Sequence, residues 1–535
     1  MFLITSAAYV APELSAEFGL LPPAFLPVGN RRLFVHQLQE ITAVLREGAG
    51  EPVHLSLPED FALDPMDRDL LDRLGVVVLR VPAGLTLGWS ILHCLEAGGW
   101  SGGPVRLLHG DTLIRDLPLD SLDVVTVGSP RAYYRWSEVE TGADGAFAFD
   151  YGLGSDRQER KVLSGYFAFS DGARLTAAIA ASGGDFIRGL TLYAHGAGLT
   201  PVEAGPWLDF GSLPTYYQSK AELNRARAFN RLSVTRRTVR KASRDGAKMA
   251  AEAGWYRALP GPMRLHTPAF VGEEVVDGIP GYAIEHLFLP TLSDLFVFGR
   301  LPPFVWRGIL AGLDEFLRGC MAHPVPAAER AGVATQAMEL CVAKTRARLH
   351  RYAEAARLDL ERPWRLNGRP LPSLAAILND LAARLEPPAP DDLCLVHGDL
   401  CFSNVFYDFR LETVRVIDPR GMAADGTPTP WGDIRYDLAK VRHSMVGRYD
   451  MIMAGYYHLE EHAPYDLTFE LPETEAIRAL AVLFRQTRLA GRAVEAPSVK
   501  TITVLLFLSM LPLHADEPCR QKALLANALR LYTEL

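Results

Sequence analysis

Cysteine is scarce in this chain of 535 residues, and its copies are scattered: Cys94, Cys320, Cys341, Cys394, Cys401 and Cys519. None of them forms a C-x-x-C pair, and none clusters with histidine at the spacing of a zinc site. This pattern excludes a disulfide scaffold and the common zinc modules. We therefore expect reduced and mostly buried cysteines, as in a cytoplasmic protein.

Positive charge and long apolar runs are also in short supply. The formal net charge is −8, so we expect neither nucleic acid nor an anionic membrane surface as a partner. The longest apolar run, Val504 to Leu513, contains Pro512 and is shorter than the roughly 20 residues that span a bilayer. The apolar start, Met1 to Val10, has no basic residue before it and predicts a buried strand, not a signal peptide. A membrane span is not expected, and no feature predicts an oligomeric state.

The first two hundred residues alternate between strand-like and helix-like runs. The helical spacing is clearest from Leu33 to Leu45, and the strand-like runs are 2–4, 53–57, 76–81 and 105–109. Such alternation predicts βαβ units and a mainly parallel sheet, an α/β fold. Ligands of such sheets bind at the carboxyl ends of the strands, where Asp111 falls.

Four segments of this region resemble sugar-phosphate nucleotidyltransferases: Leu21–Leu33, Leu107–Ile114, Ser164–Phe169 and Trp207–Tyr217. The resemblance implies a Rossmann-like domain of the GT-A type over residues 1–217. It also implies that Asp111 and Asp209 bind Mg²⁺, with a second NTP or a sugar phosphate as ligand.

The same region departs from that family at two positions. The first loop, Thr5 to Leu14, has neither the glycines nor the arginine that cradle a triphosphate. Pro23 stands where the family has a lysine. Two alternatives follow: a degenerate domain that binds a sugar or nucleotide or serves as a scaffold, or an active variant that uses Arg31 or Arg32.

A second set of polar residues lies far downstream. His397-Gly-Asp399 follows an apolar run, Asn404 is five residues after that aspartate, and a further apolar run delivers Asp418. An aspartate, an asparagine and a second aspartate are hard oxygen ligands that can hold Mg²⁺ on nucleotide phosphates, with one carboxylate left to accept a hydroxyl proton. The spacing matches the catalytic loop of kinases and predicts a phosphotransferase core.

The residues before this core fit a nucleotide-binding lobe. A helical connector is predicted at 218–228, a kinase N lobe at 229–290 and a kinase C lobe with the acceptor site at 291–535. Lys241 on a strand and Glu252 on the next helix have the spacing of the kinase lysine–glutamate pair. No glycine-rich loop precedes them, so backbone N–H groups or Ser233 are expected to cover the phosphates. The segment from Glu285 to Leu287 is predicted to bind the adenine base.

Residues 225–535 resemble the aminoglycoside phosphotransferase and choline kinase group through His397–Asn404, Ile417-Asp418 and Gly432–Lys440. The resemblance implies a bilobal α+β fold, ATP and Mg²⁺ as cofactors, Asp399 as base, and Asn404 and Asp418 as metal ligands. We expect structural roles for His397, which anchors the loop, and for Asp433 and Asp437, which stabilise loop backbone and a helix start. The run Asp437 to His443 has the pattern of an N-capped helix.

Lys344 and Arg348 lie four residues apart on a predicted helix, Gln336 to Tyr352. They form either a solvated helix face or a contact with an anionic substrate.

Together these patterns predict a small-molecule kinase that phosphorylates a hydroxyl of a sugar, polyol or amino alcohol. The fusion resembles proteins of capsule and surface-polysaccharide biosynthesis. Two alternatives stay open, a bifunctional kinase and nucleotidyltransferase that makes an NDP-activated building block, and a non-catalytic pseudokinase scaffold.

Overall fold

The computed structural model describes residues 1–45, 52–100, 102–129, 135–141, 147–153, 161–203, 205–225, 231–276 and 278–535. The chain divides into two compact units, Met1–Asn224 and Arg225–Leu535, and the division falls inside the predicted connector 218–228. Helix Leu213–Arg225 covers the first part of that connector. Its last residues, 226–228, lie outside the described residues, as do 229 and 230, where the predicted N lobe begins.

The first unit is built on a sheet of nine strands, counted over the described residues. Its centre is parallel: Phe2–Thr5 lies between Val53–Pro58 and Val105–His109, and Val76–Val81 pairs with Val53–Pro58. The two middle strands are almost entirely buried, as expected of parallel strands covered by helices. The predicted α/β class and these four predicted strands are thereby confirmed.

The sheet continues in mixed orientation on the other side of Val105–His109. Val162–Phe169 pairs antiparallel with that strand, and the further strands are Val124–Gly128, Arg135–Thr141, Phe147–Leu153 and Thr200–Glu203. Two short antiparallel pairs stand apart from the sheet: Pro27–Val28 with Arg31–Arg32, and Thr112–Ile114 with Trp207–Asp209.

Helices flank this sheet: Pro12–Phe18, Leu33–Leu45, Pro65–Arg73, Leu87–Ala97, Gly172–Ala181, Phe186–Ala197 and Leu213–Arg225. Asp171 and Asp185 begin two of them as N-caps, accepting hydrogen bonds from the amides of Arg174 and Arg188. The core between helices and sheet contains Leu107, Phe167 and Ile179, all fully buried. This core holds the carboxyl ends of the strands in fixed positions.

The second unit begins with a four-stranded antiparallel sheet in the order Arg231–Val234, Thr238–Ala242, Ile279–Glu285 and Phe270–Val276. Helix Gly246–Ala258 packs against this sheet. Asp245 is its N-cap, since the carboxylate accepts from the amide of Lys248 at 3.0 Å. A small sheet with one helix is the architecture predicted for a nucleotide-binding lobe.

The remainder of this unit is mainly helical: Leu292–Val297, Pro303–Met321, Arg330–Met338, Lys344–Ala356, Leu374–Arg384, Ile434–Met445, Tyr449–Met453, Glu475–Gln486, Pro497–Met510 and Pro518–Tyr532. Short strands complete it: Pro363–Leu366, Arg369–Ser373, Leu393–Leu395, Val405–Asp408, Thr413–Val416, Trp431–Asp433, His458–Ala463, Asp466–Glu470, Arg488–Leu489 and Arg492–Ala493. A helical lobe after a small sheet confirms the predicted bilobal α+β class.

The apolar run near the C-terminus forms a helix of the core. By length and composition alone, Pro497–His514 is a candidate membrane span, with a mean hydropathy of 1.3. However, 67% of this segment is buried inside the unit, and its first part packs against helix Ile434–Met445. A core helix accounts for its apolar composition.

Candidate active site

The loop 397–404 follows the buried strand Leu393–Leu395 and leads into the hairpin of Val405–Asp408 and Thr413–Val416. The hairpin register pairs Val405 with Val416, and the Ile417 amide donates to the Asn404 carbonyl at 3.0 Å. This pairing brings the end of the loop next to the end of the hairpin. Asn404 and Asp418, fourteen positions apart, are therefore close in space.

Asp399 is held between an amide and an ammonium group. The Asn404 Nδ2 lies 3.2 Å from Asp399 Oδ2, and the Lys440 Nζ lies 2.8 Å from Asp399 Oδ1. Burial alone would raise the pKa of Asp399, yet Lys440 and Arg420 hold that pKa well below its ordinary value. Asp399 is thus ionised and oriented, which a proton acceptor requires.

His397 is fully buried and joins the loop to the hairpin. Its Nε2 contacts the Ile417 carbonyl at 2.9 Å, and its Nδ1 accepts from the Asp399 amide at 3.2 Å. Burial lowers the pKa of His397 to about 4, so the ring is neutral, with the proton on Nε2. These contacts give His397 the geometry of a loop anchor.

Asp433 and Asp437 accept hydrogen bonds from different backbone segments. Asp437 accepts from the amides of His397 and Gly398, both at 2.7 Å. Asp433 accepts from the Arg435 amide at 2.9 Å and is the N-cap of helix Ile434–Met445. The helix therefore begins at Ile434, not at Asp437 as expected, because Asp433 already satisfies its first amides. Burial raises the pKa of Asp437 to about 7.

Asp418 occupies the left-handed region of backbone space, with φ 57°. Such a conformation is uncommon for a residue other than glycine, although aspartate adopts it more readily than most. It turns the carboxylate towards the N lobe, where Lys241 Nζ lies 3.1 Å from Asp418 Oδ1.

Lys241 also contacts the buried carboxylate of Glu252, at 2.7 Å. The Tyr282 hydroxyl, on the neighbouring strand, donates to the same carboxylate oxygen at 2.7 Å. Burial would lower the pKa of Lys241, but Asp418 and Glu252 hold it above its ordinary value. The lysine is therefore a fixed cation between the two lobes of the unit.

Of the other predicted nucleotide contacts, Ser233 lies on strand Arg231–Val234, opposite Arg240. The amide of Glu285 donates to the Ala269 carbonyl at 2.9 Å, so this N–H is not available to a base. The amide of Leu287 has no hydrogen-bond acceptor among the described residues. It is the better placed of the two for contact with adenine.

One close backbone approach and one hydrogen bond join the N lobe to the C lobe. Gly421 has φ 63°, and a Cβ there would lie 2.3 Å from the Ala251 carbonyl oxygen on the helix that carries Glu252. The Trp255 indole N–H of the same helix donates to the Val396 carbonyl at 2.7 Å. The position of Glu252 is thus coupled to the segments before His397 and after Asp418.

Lys440 and Arg420 are site residues to which the sequence patterns assigned no role. Arg420 Nε donates to the Gly398 carbonyl at 3.1 Å, and its Nη2 donates to the Tyr436 hydroxyl at 2.9 Å. For Lys440 a signal existed, because residues three apart on a helix share a face. Asp437 contacts the backbone of the loop, so Lys440, on the same face of the helix, is expected to lie near the loop as well.

In the first unit, Asp111 and Asp209 come together at the carboxyl end of strand Val105–His109. A Cβ on Gly211 would lie 2.8 Å from Asp111 Oδ2 and 3.4 Å from Asp209 Oδ1. Burial and the neighbouring Asp111 raise the pKa of Asp209 to about 7. Two converging carboxylates are a donor set that a divalent cation would suit.

The first loop and Arg32 form hydrogen bonds with other residues of this unit. The Ser6 amide donates to Ser56 Oγ at 2.8 Å, and the Val10 amide donates to the Leu21 carbonyl. Arg32 is buried and donates to both carboxylate oxygens of Asp67, at 3.1 and 2.8 Å. Arg32 is therefore not available as a substitute phosphate ligand. Arg31 is exposed.

Among the described residues, no group of three or more histidine, cysteine, aspartate or glutamate side chains is placed to hold a metal ion. Mg²⁺ is commonly bound by one or two protein oxygens together with substrate phosphates and water. The amide oxygen of Asn404 and the carboxylate of Asp418, which is 40% exposed, fit that requirement.

Residues 315–468 match the sequence model of the phosphotransferase enzyme family, APH. This match confirms the phosphotransferase domain predicted in the C-terminal part of the chain. No curated protein matches the chain at a significant level.

Three solved structures are among those similar to parts of this chain. A thermostable mutant of aminoglycoside phosphotransferase APH(4)-Ia is 15% identical, with a TM-score of 0.35, over 56% of this chain and 89% of its own. A nucleoside-diphosphate-sugar pyrophosphorylase from Vibrio cholerae RC9 is 12% identical, with a TM-score of 0.34, over 41% of this chain and 99% of its own. A UDP-glucose pyrophosphorylase complexed with UDP-glucose is 13% identical, with a TM-score of 0.32, over 42% of this chain and 100% of its own.

Proposed function

We propose that the C-terminal unit is an ATP- and Mg²⁺-dependent kinase that phosphorylates a hydroxyl of a sugar, polyol or amino alcohol. The observation that carries this proposal is the arrangement of Lys241, Asp418 and Asp399 around the end of one hairpin. Lys241 contacts Asp418 at 3.1 Å, and Asp399 contacts Asn404, which adjoins the hairpin end. A phosphate-binding cation, two metal ligands and a base are the parts that phosphoryl transfer needs.

Each residue has a role in the proposed reaction. Lys241, held by Glu252, donates to the phosphates of ATP, and the Leu287 amide binds the adenine base. Asn404 and Asp418 would hold Mg²⁺, which when bound neutralises phosphate charge. Asp399 orients the acceptor hydroxyl, whose oxygen bonds to the γ-phosphorus while the bond to the β–γ bridging oxygen breaks and ADP leaves.

The proton of the acceptor hydroxyl passes to Asp399 and from there to solvent. Because Lys440 and Arg420 hold the pKa of Asp399 low, this carboxylate is a weak base that takes the proton late in the reaction. Phosphoryl transfer through a loose transition state needs little proton removal before the bonds to phosphorus change. Positioning of the hydroxyl is therefore the larger contribution of Asp399.

The test is an ATP-consumption screen over sugars, polyols and amino alcohols with Mg²⁺ present. Asp399→Asn should abolish acceptor-dependent consumption. Asp391→Asn, at an exposed carboxylate before strand Leu393–Leu395, should leave it unchanged. Equal activity of the wild type and the Asp399→Asn variant would contradict the proposal.

A bifunctional enzyme is the second candidate, and the convergence of Asp111 and Asp209 near Gly211 favours it. Incubation with each NTP and the phosphorylated acceptor should then release pyrophosphate, and Asp111→Asn should stop the release. The Ser6 amide and Arg32 already bind other residues of the first unit. These contacts favour the alternative that the first unit is non-catalytic. Absence of pyrophosphate with every NTP would exclude the bifunctional enzyme.

A pseudokinase scaffold remains the third candidate and predicts no ATP turnover with any acceptor. For the kinase we propose a role in surface-glycan precursor synthesis and a cytoplasmic location. The unpaired cysteines support that location, since all six are free thiols in the structure. Cell fractionation with an antibody against the chain would test it.

A further inference from the structure

A cavity of about 580 Å³ lies beside the loop 397–404 in the C-terminal unit. Helix Arg330–Met338 and its continuation form one wall, and the segment from Arg420 to Tyr436 forms the other. The cavity reaches the buried backbone of His397 and Gly398, directly before Asp399. This volume is within the range of small-molecule sites, and the cavity lies beside the loop that carries the proposed base.

The charged residues of this cavity are distributed unevenly. Glu329 and Asp425 are exposed, and the buried carboxylate of Asp433 is paired with Arg435. Arg420, in contrast, is half-buried where the cavity meets Gly398, and its guanidinium lies over the Tyr436 ring at 5.2 Å. Among the described residues, no carboxylate forms an ion pair with Arg420; its hydrogen bonds are to the Gly398 carbonyl and the Tyr436 hydroxyl. The nearby carboxylates of Asp399 and Asp437 favour its positive charge without forming an ion pair with it.

Two further cations stand on the helix that continues this wall. A π-helical turn, Glu339–Ala343, separates the cavity-lining part from helix Lys344–Ala356, and such turns often occur at functional sites. Lys344 has no hydrogen bond or ion pair to any described residue. Among the residues that the structure describes, Arg348 donates hydrogen bonds only to the backbone carbonyl and hydroxyl of Ser509, each at 3.3 Å, and its buried Nε has no acceptor there.

The three cations act on one another. Burial together with Arg420, Arg348 and Arg351 lowers the pKa of Lys344 to about 8. Burial and Arg420 also lower the pKa of Arg348, whereas Tyr436, Asp399 and Asp437 hold the pKa of Arg420 above its ordinary value despite burial. The repulsion from like charges at Lys344 and Arg348 is unfavourable in the free protein. An anion placed among them would relieve this repulsion and gain charge-assisted hydrogen bonds.

We infer that the acceptor carries an anionic group, a phosphate or a carboxylate, which Lys344, Arg348 and Arg420 bind while its hydroxyl faces Asp399. This inference rests on the proposed kinase function and narrows its acceptor class. A cationic amino alcohol is disfavoured at this position, because it would meet three positive charges. The sequence left two interpretations of Lys344 and Arg348 open, a solvated helix face and a contact with an anionic substrate. We adopt the contact with an anionic substrate.

The inference is tested with acceptor pairs of which one member is anionic and the other neutral: fructose 6-phosphate against fructose, and glucuronate against glucose. Choline is included as a cation. We expect kcat/KM for at least one anionic member to exceed that of its neutral partner by at least tenfold. The phosphate pair and the carboxylate pair distinguish the two sources of negative charge. Preference for neutral sugars or for choline would overturn the inference while leaving the kinase proposal intact.

Variants separate charge recognition from folding. Lys344→Met and Arg348→Met should each raise KM for the anionic acceptor about tenfold and leave KM for ATP unchanged, which shows that the unit is folded. Arg346→Met is the control, since Arg346 is on the same helix but is exposed and contacts Asn379; it should change neither constant. Unchanged acceptor KM in both test variants would overturn the inference. No turnover of any probe by the wild type would overturn the kinase proposal itself.

Discussion

The Nζ of Lys440 lies 2.8 Å from the Oδ1 of Asp399, and both side chains are held within the C-terminal unit. Lys440 is only 12% exposed, and Asp399 raises its pKa above the ordinary value despite burial. The ammonium group therefore stays charged and fixes one oxygen of the proposed base. It leaves Oδ2, which Asn404 contacts, on the side of the metal ligands.

We expect Lys440→Met to lower kcat by on the order of 10²-fold, because Asp399 loses the preorganised cation that holds its carboxylate ionised and oriented. KM for ATP should change little, since the ion pair of Lys440 is with Asp399 and not with a predicted nucleotide contact. Steady-state kinetics with saturating ATP will measure both constants.

Lys440→Arg serves as the conservative variant and should recover part of the lost kcat, because it restores the charge but not the geometry. A purely structural role would instead lower the amount of folded protein without changing kcat per folded molecule. Full activity in the folded Lys440→Met variant would contradict a positioning role for Lys440.

The parts of the site that could be predicted from the sequence are those with a fixed spacing along the chain. Asp399 and Asn404 share one short loop, and Lys241 and Glu252 belong to adjacent elements, so local geometry brings them together. Lys440 and Arg420 could not be assigned in the same way, because their partners lie 41 and 22 positions away along the chain. Such contacts depend on how helix Ile434–Met445 packs.

Helix boundaries were harder to predict than strands. The four central strands of the first unit are apolar runs whose ends coincide with polar or turn residues, and they were found within two residues. The start of helix Ile434–Met445 was predicted three residues late, since Asp437 resembles a cap in sequence. In the folded chain its carboxylate is instead used by the amides of His397 and Gly398.

Lys241→Met should lower kcat/KM for ATP by on the order of 10²-fold, because the phosphates lose a preorganised cation. Lys248→Met is the matched control: this lysine also approaches Glu252, at 3.8 Å, but it is 49% exposed and does not reach Asp418. The control should stay within about twofold of the wild type, as exposed ion pairs contribute little. Equal losses in both variants would indicate a general effect on Glu252.

Gly421→Ala should strongly reduce ATP binding, measured by isothermal titration calorimetry. Its Cβ would lie 2.3 Å from the Ala251 carbonyl, so helix Gly246–Ala258 with Glu252 must shift. Gly426→Ala is the control for backbone strain, since Gly426 also has a positive φ, 89°, but no atom within 4 Å of the added Cβ. Similar losses in both would show that strain, not the clash, decides the effect.

The affinity for an anionic acceptor should fall as the pH rises through about 8. The pKa of Lys344 is lowered to about 8 by burial and by Arg420, Arg348 and Arg351, so above that pH the lysine is neutral and attracts the anion less. Arg420 and Arg348 stay charged in this range. KM measured from pH 7 to pH 9.5 should rise in the wild type and stay flat in Lys344→Met.

The same shift in the pKa of Lys344 has a consequence for stability. A lysine with a lowered folded pKa binds fewer protons when folded, so stability increases as the pH rises from about 8 towards the unfolded pKa of about 10.4. Lys344→Met removes this dependence and should be at least as stable as the wild type at pH 7. Urea unfolding at pH 7 and pH 10 will show whether the difference between the two proteins shrinks at the higher pH.

Arg32 and Asp67 form a buried ion pair in the first unit, and this contact gives Arg32 a structural role. Removing one partner of such a pair leaves an uncompensated buried charge, at a cost of about 3–5 kcal/mol. Arg32→Met should therefore destabilise the first unit by that order, and the double variant Arg32→Met with Asp67→Leu should recover most of the loss. Urea unfolding gives both values. If Arg32→Met instead left stability unchanged and abolished pyrophosphate release, Arg32 would be a phosphate ligand. The structural role assigned to it from the Asp67 contacts, at 3.1 and 2.8 Å, would then be wrong.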